Sequence, residues 1–121
     1  MIKHIVLPVH VVSESNMREH WRKAHIRHKA QKACVKWFML SSRIPTDLPC
    51  KITMTRLSSR NLDSDNLQTA FKYIRDAVSE HFITNKAPGR ADDDPRFEWH
   101  YSQEKSSEKA VRLTFEWPDQ Q

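Results

Sequence analysis

Near the amino terminus Ile5, Leu7, Val9 and Val11 alternate with Val6, Pro8, His10 and Val12, the period-two pattern of a strand. Pro8 has no N–H to give to a ladder, so this strand is expected at a sheet edge or an irregular position. Over residues 17–40 the period changes to 3.6. Met17, Trp21, Ala24, His28, Gln31, Val35 and Phe38 share one partly apolar helical face, preceded by cap-forming residues at 13–16. Residues 51–57 alternate again and predict a second strand. Leu67, Ala70, Phe71, Ile74 and Val78 predict a second helix, with Asp65 as N-cap and Gln68 completing a capping box. Residues 84–95 read as a loop. Phe97, Trp99 and Tyr101, then Val111, Leu113, Phe115 and Trp117, alternate with polar residues and predict an antiparallel strand pair joined through 104–109.

The order strand, helix, strand, helix, strand, strand predicts an α+β fold, with two main helices on a small mixed four-stranded sheet. The 121 residues carry no repeat or linker and suit one domain over 1–121. Hydrophobic residues make up 38%, enough for a modest core. No apolar run approaches the roughly 18 residues of a membrane span, and the opening segment reads as a strand rather than a signal peptide. Cys34 and Cys50 have neither disulfide-framework nor zinc-ligand spacing and read as free thiols of a reducing cytoplasm. His20, His25 and His28 form no metal-binding pattern. Trp21 and Trp37 are expected in the core or a dimer interface, with stacking on bases as the other reading.

Charge adds a partner class. The net charge is +5, and residues 18–36 hold seven lysines and arginines against Glu19 alone. Arg18, Arg22, His25, Lys29, Lys32 and Lys36 recur at helical spacing as a stripe suited to phosphate contacts. The other reading is an ordinary solvated face. The acids gather instead around 63–65 and 92–94. In an extended segment Asp63 and Asp65 point to the same side. Pro95 biases Asp94 towards an extended backbone at the mouth of the next strand. If that strand lies beside the start of the second helix, Asp94 meets Asp63 and Asp65, and three carboxylates can share a hard cation such as magnesium. Otherwise Asp63 and Asp65 merely start a helix, and Asp92 to Asp94 form a solvated turn.

Asn61-Leu62-Asp63-Ser64-Asp65-Asn66-Leu67-Gln68, followed by an apolar helix and then by Asp93-Asp94 entering a strand, resembles the signature of the RusA family of crossover-junction endodeoxyribonucleases. The opening strand, the Ser15-Asn16 turn and the basic segment from Arg18 are similar to that family too. The resemblance implies a homodimeric, often prophage-encoded nuclease that resolves four-way (Holliday) DNA junctions with Mg2+ or Mn2+. It implies metal-binding, catalytic carboxylates at Asp63, Asp65 and Asp94, with Asp93 as substitute if the register slips by one. It implies no membrane and no small-molecule cofactor. The family's helical lysine is replaced by Thr69, so Lys72, or Lys105, is expected to supply the positive charge at the phosphate. If neither does, the chain is a weakly active or binding-only relative. A nucleotide hydrolase is a third reading, and the long basic stripe argues against it.

Overall fold

A computed structural model describes residues 1–14, 17–87 and 89–119. The Ser15-Asn16 turn lies outside the described residues. The chain forms β1 (Ile2–Leu7), α1 (Trp21–Ser41), β2 (Cys50–Ser58), α2 (Ser64–Ala70), α3 (Lys72–Phe82), a 3-10 turn (Ala91–Asp93), β3 (Phe97–Lys105) and β4 (Ala110–Glu116). This is a small α+β fold with three helices and one mixed four-stranded sheet of order β1-β4-β2-β3. Among the described residues, no helix is long and apolar enough to cross a membrane.

The expected β3–β4 pair does not form. β4 pairs antiparallel with both β1 and β2, and β3 joins the other side of β2 in parallel. Depth of burial explains the order. Val111, Leu113 and Phe115 of β4 and Ile52 and Met54 of β2 are fully buried, and these strands take the middle. Trp99, Tyr101 and Gln103 of β3 are only half-buried, and Glu98, His100, Ser102 and Glu104 on the strand's other face are all at least partly exposed, which suits an edge. β1 takes the other edge and ends just before Pro8, as its missing donor requires.

The second helix is broken. Thr69 folds its hydroxyl back onto the carbonyls of Asp65 (3.2 Å) and Asn66 (3.1 Å), a competition that bends helices. Phe71 N–H then tightens onto Gln68 O (3.2 Å), and the α pattern resumes with Arg75 N–H on Phe71 O (2.8 Å). Asp63, not Asp65, is the N-cap, and its side chain makes no capping hydrogen bond, so the expected capping box is absent. The predicted apolar face is otherwise intact: Leu67, Ala70, Phe71, Ile74 and Val78 are all buried.

α1 starts at Trp21 rather than residue 17, capped by His20, whose Nδ1 accepts from Arg22 N–H (3.1 Å). Arg18 therefore precedes the helix. Gln31, Val35 and Met39 face the core, whereas Trp21 and Trp37 are 67% and 65% exposed and do not pack in it. Glu14 and Glu19 both bind Arg27, and His28 meets Glu14 while stacking on Tyr73 with ring centroids 3.6 Å apart. Burial pushes the Glu14 carboxyl up, but the Arg27 and His28 hydrogen bonds outweigh it and leave it below its ordinary range. These contacts tie the segment before α1 to α1, and α1 to α3.

Candidate acidic pocket and basic face

The expected carboxylates fall into two groups. Asp63 and Asp65 are exposed at the head of α2. Their level along the sheet is set by Gln103 of β3, which accepts from Leu62 N–H (2.9 Å) and donates to Leu62 O (2.8 Å). Asp94 sits at the other end of β3, where its carbonyl accepts from Phe97 N–H (3.1 Å). At roughly 3.3 Å per residue, Phe97 and Gln103 are about 20 Å apart, so Asp94 does not meet Asp63 and Asp65.

Asp94 is also committed locally. Arg96 donates Nε to Oδ1 (3.0 Å), Nη2 to Oδ2 (2.9 Å) and its backbone N–H to Oδ1 (2.9 Å). This bidentate grip holds the carboxyl down at about 2. Asp92 is held from a different direction. Arg75 of α3 donates Nε to Asp92 Oδ2 (2.9 Å), Nη2 to Asp92 O (3.3 Å) and Nη1 to the Tyr101 hydroxyl (2.8 Å). Its guanidinium lies 4.7 Å from the centre of the Trp99 ring, and Trp99 Nε1 donates to Asp92 O (3.0 Å). Arg75 thus docks the 3-10 turn on the middle of α3.

That docking makes a shallow pocket of about 410 Å³, lined by Lys32 of α1, Lys72, Tyr73 and Asp76 of α3, and Gly89, Asp92 and Asp93 of the returning chain. Lys72 and Asp93 are both exposed there. Asp76 was not foreseen, since in the sequence it is one polar position among several on α3. Thr69 points back into its own helix, and Lys72 and Lys32 are the lysines that border the acidic pocket. Lys105 ends β3 at the opposite end of that strand from Asp94.

At a helix rise of about 1.5 Å per residue, Asp65 and Asp76 stand at most about 16 Å apart across the α2–α3 joint, with Lys72 between them in the chain. Among the described residues no three His, Cys, Asp or Glu side chains gather closely enough to hold a metal ion together. The carboxylate oxygens are the hard donors that magnesium prefers, and that ion needs only one or two of them when water and a phosphate complete its shell. Asp94 has both oxygens engaged by Arg96, so the donors on offer are Asp76, Asp93, the second oxygen of Asp92 and, one level up, Asp63 and Asp65.

The basic face is only partly free. Arg18, Arg22, His25 and Lys29 are exposed and, among the described residues, make no ion pair. Lys32 and Lys36 both reach Glu80 of α3, at 3.7 and 3.4 Å. A second pocket, lined by His25, His28, Lys29, Lys32 and Tyr73, shares Lys32 and Tyr73 with the acidic one. The basic face therefore runs into the acids. No family model matches the chain, and no curated protein matches it.

Proposed function

We propose that the protein is a divalent-metal-dependent endonuclease acting on branched DNA, the activity implied by its resemblance to the RusA family. The observation that carries this reading is the acidic pocket opening directly beside the basic face of α1, with Lys32 and Lys72 in its lining. A polyanion approaching α1 meets Arg18, Arg22, His25 and Lys29 first and is led towards the carboxylates. Such affinity depends on phosphates and charge rather than on base sequence. When bound, a magnesium or manganese ion polarises the phosphodiester and stabilises the leaving oxygen. Asp63, Asp65, Asp76, Asp93 and the second oxygen of Asp92 are the side-chain donors available to hold it, and Lys72 supplies a cation for the phosphate. The test is nicking of four-way, forked and linear DNA with and without Mg2+. Metal-dependent nicking that favours the four-way substrate supports the reading, and absence of nicking on all three rejects it.

Glu80 sets a second test. It neutralises Lys32 and Lys36 from α3, so Glu80→Gln is expected to release two cations to DNA. Affinity for junction DNA should rise roughly threefold to tenfold at low salt, with a steeper salt dependence in filter binding. An unchanged salt slope would exclude Lys32 and Lys36 from phosphate contact.

The homodimer implied by the resemblance finds support on α1. Ile26, Ala30, Ala33, Trp37 and Leu40 recur at alternating spacings of four and three on the side of the helix away from the core, all exposed. An apolar seam at this spacing is what a partner helix buries. Trp37→Glu is therefore expected to convert a dimer to a monomer in sedimentation without unfolding it.

A binding-only reading is favoured by one observation. Arg75 and Arg96 already neutralise Asp92 and Asp94 without any metal. On that reading junction binding would be unaffected by Mg2+ and no strand would be cut.

A further inference from the structure

Asp76 is the acid whose environment is least explained by packing. It is 9% exposed, and what exposure it keeps opens into the acidic pocket. The other acids around the helices that are only partly exposed have cationic partners: Glu14 has Arg27 and His28, Glu80 has Lys32 and Lys36, Asp92 has Arg75, and Asp94 has Arg96, whereas Asp63, Asp65 and Asp93 lie open to solvent. The Asp76 carboxylate has neither a hydrogen bond nor an ion pair among the described residues; the Ser79 hydroxyl donates to its backbone carbonyl instead, at 2.8 Å. Burial pushes its carboxyl up, the negative charge of Asp92 adds to this, and Lys32 and Lys72 only partly oppose it. Leaving a carboxylate in this state is costly, and a structural role would be served as well by an uncharged side chain. A cation at the pocket would supply the partner that the protein does not.

We propose that Asp76, with Asp92 and Asp93 beside it, is the main cation-holding group of this protein, seating a magnesium-like ion between α3 and the 3-10 turn, with Lys72 and Lys32 on the rim for a phosphate that shares the ion. This rests on the metal-dependent reading above and moves the ion's anchor from the head of α2 to the middle of α3. Magnesium is commonly held through one or two carboxylates plus phosphate and water, so three converging protein acids are not required. Arg75 is a positioning residue here. It fixes Asp92 Oδ2 and the turn's backbone and leaves the other Asp92 oxygen and Asp93 to the pocket.

The experiment is thermal unfolding of the full chain with and without saturating Mn2+, on wild type, Asp76→Asn, Asp93→Asn and Asp65→Asn, with junction nicking measured on the same samples. Asp76→Asn removes a buried, unpartnered charge while keeping the shape. Its metal-free Tm should therefore exceed that of wild type by about 3 °C or more, and the Mn2+-induced rise seen in wild type should vanish. Asp93→Asn, at an exposed position that folding does not depend on, should reduce that rise. A Mn2+-induced shift that survives in both Asp76→Asn and Asp93→Asn overturns the proposal. A shift lost in Asp65→Asn but kept in Asp76→Asn also overturns it, by returning the ion to the head of α2, while the nuclease reading stands. A shift lost in Asp76→Asn from a wild type that cuts no DNA supports the ion site and rejects the nuclease. Wild type that shows no Mn2+ shift overturns the site.

Discussion

Asp65→Asn protein is expected to bind four-way junction DNA as wild type does and to nick it at least ~100-fold more slowly in Mg2+. The carboxylate-to-amide change keeps size and hydrogen-bonding reach but removes the charge that would favour a second hard cation at the head of α2, apart from the one proposed at Asp76. Stabilisation of the reacting phosphate by such an ion is worth several kcal/mol, and about 1.4 kcal/mol is a factor of ten in rate. Asp65 is exposed in the first turn of α2 and contributes no core contact, so folding should be unchanged. Binding should survive because the proposed phosphate contacts come mainly from α1, on a different element. If Asp65→Asn nicks at the wild-type rate while Asp76→Asn does not, the pocket alone is the catalytic centre. If both nick at the wild-type rate, neither carboxylate is needed.

Local pattern and distant contact explain which features the sequence made legible. The apolar stripe of α3 and the alternation in β2, β3 and β4 report which face of an element is buried, and those faces were predicted correctly. Alternation says nothing about neighbours. β3 and β4 are adjacent in sequence and alternate similarly, yet β2 lies between them. The signal that separates them is depth: β4 has Val111, Leu113 and Phe115 at full burial, whereas β3 carries Trp99, Tyr101 and Gln103, side chains with polar ends that suit a half-covered edge. The candidate site divides in the same way. Asp63 and Asp65 are conspicuous because they stand together, and Lys72 was picked out as the nearest helical lysine. Asp94 with Arg96 two residues on was a local pair open to recognition, and the grip it forms competes with any cation for both of its oxygens. Asp76 carried no such mark. Its burial is produced by the 3-10 turn, some sixteen residues later in the chain, folding back onto α3 through Arg75, Trp99 and Tyr101. No periodicity encodes that return. α1 misled for another reason: Trp21 lies about five turns before Met39 and so on the same side of the helix as Gln31 and Val35, but it is the first residue of the helix and 67% exposed, because periodicity reports which face is buried and not how much of its length is covered.

The largest loss of stability is expected from Phe71→Ala, which should cost about 3–5 kcal/mol and lower Tm by roughly 10–20 °C. Phe71 is fully buried, among the largest side chains that are, and packs towards Tyr101 with ring centroids 6.0 Å apart. A domain of this size is held by about 5–15 kcal/mol in all, so one such cavity removes a large share of it. Position makes the site doubly sensitive. Phe71 is the residue at which α2 ends and α3 begins, and its carbonyl takes the first α-type hydrogen bond of the second segment from Arg75. Truncating it loosens the joint that sets Asp63 and Asp65 relative to Lys72 and Asp76, and it slackens the helix from which Arg75 holds Asp92. Phe71→Leu refills most of the space and should recover most of the loss. Two measurements together separate packing from chemistry: thermal unfolding, and metal-dependent nicking at a temperature where both variants remain folded. If the joint matters for function, Phe71→Ala nicks more slowly than Phe71→Leu even when fully folded. Equal nicking with unequal Tm would mean that Phe71 serves the core alone, and that the two acid groups need not be held in register.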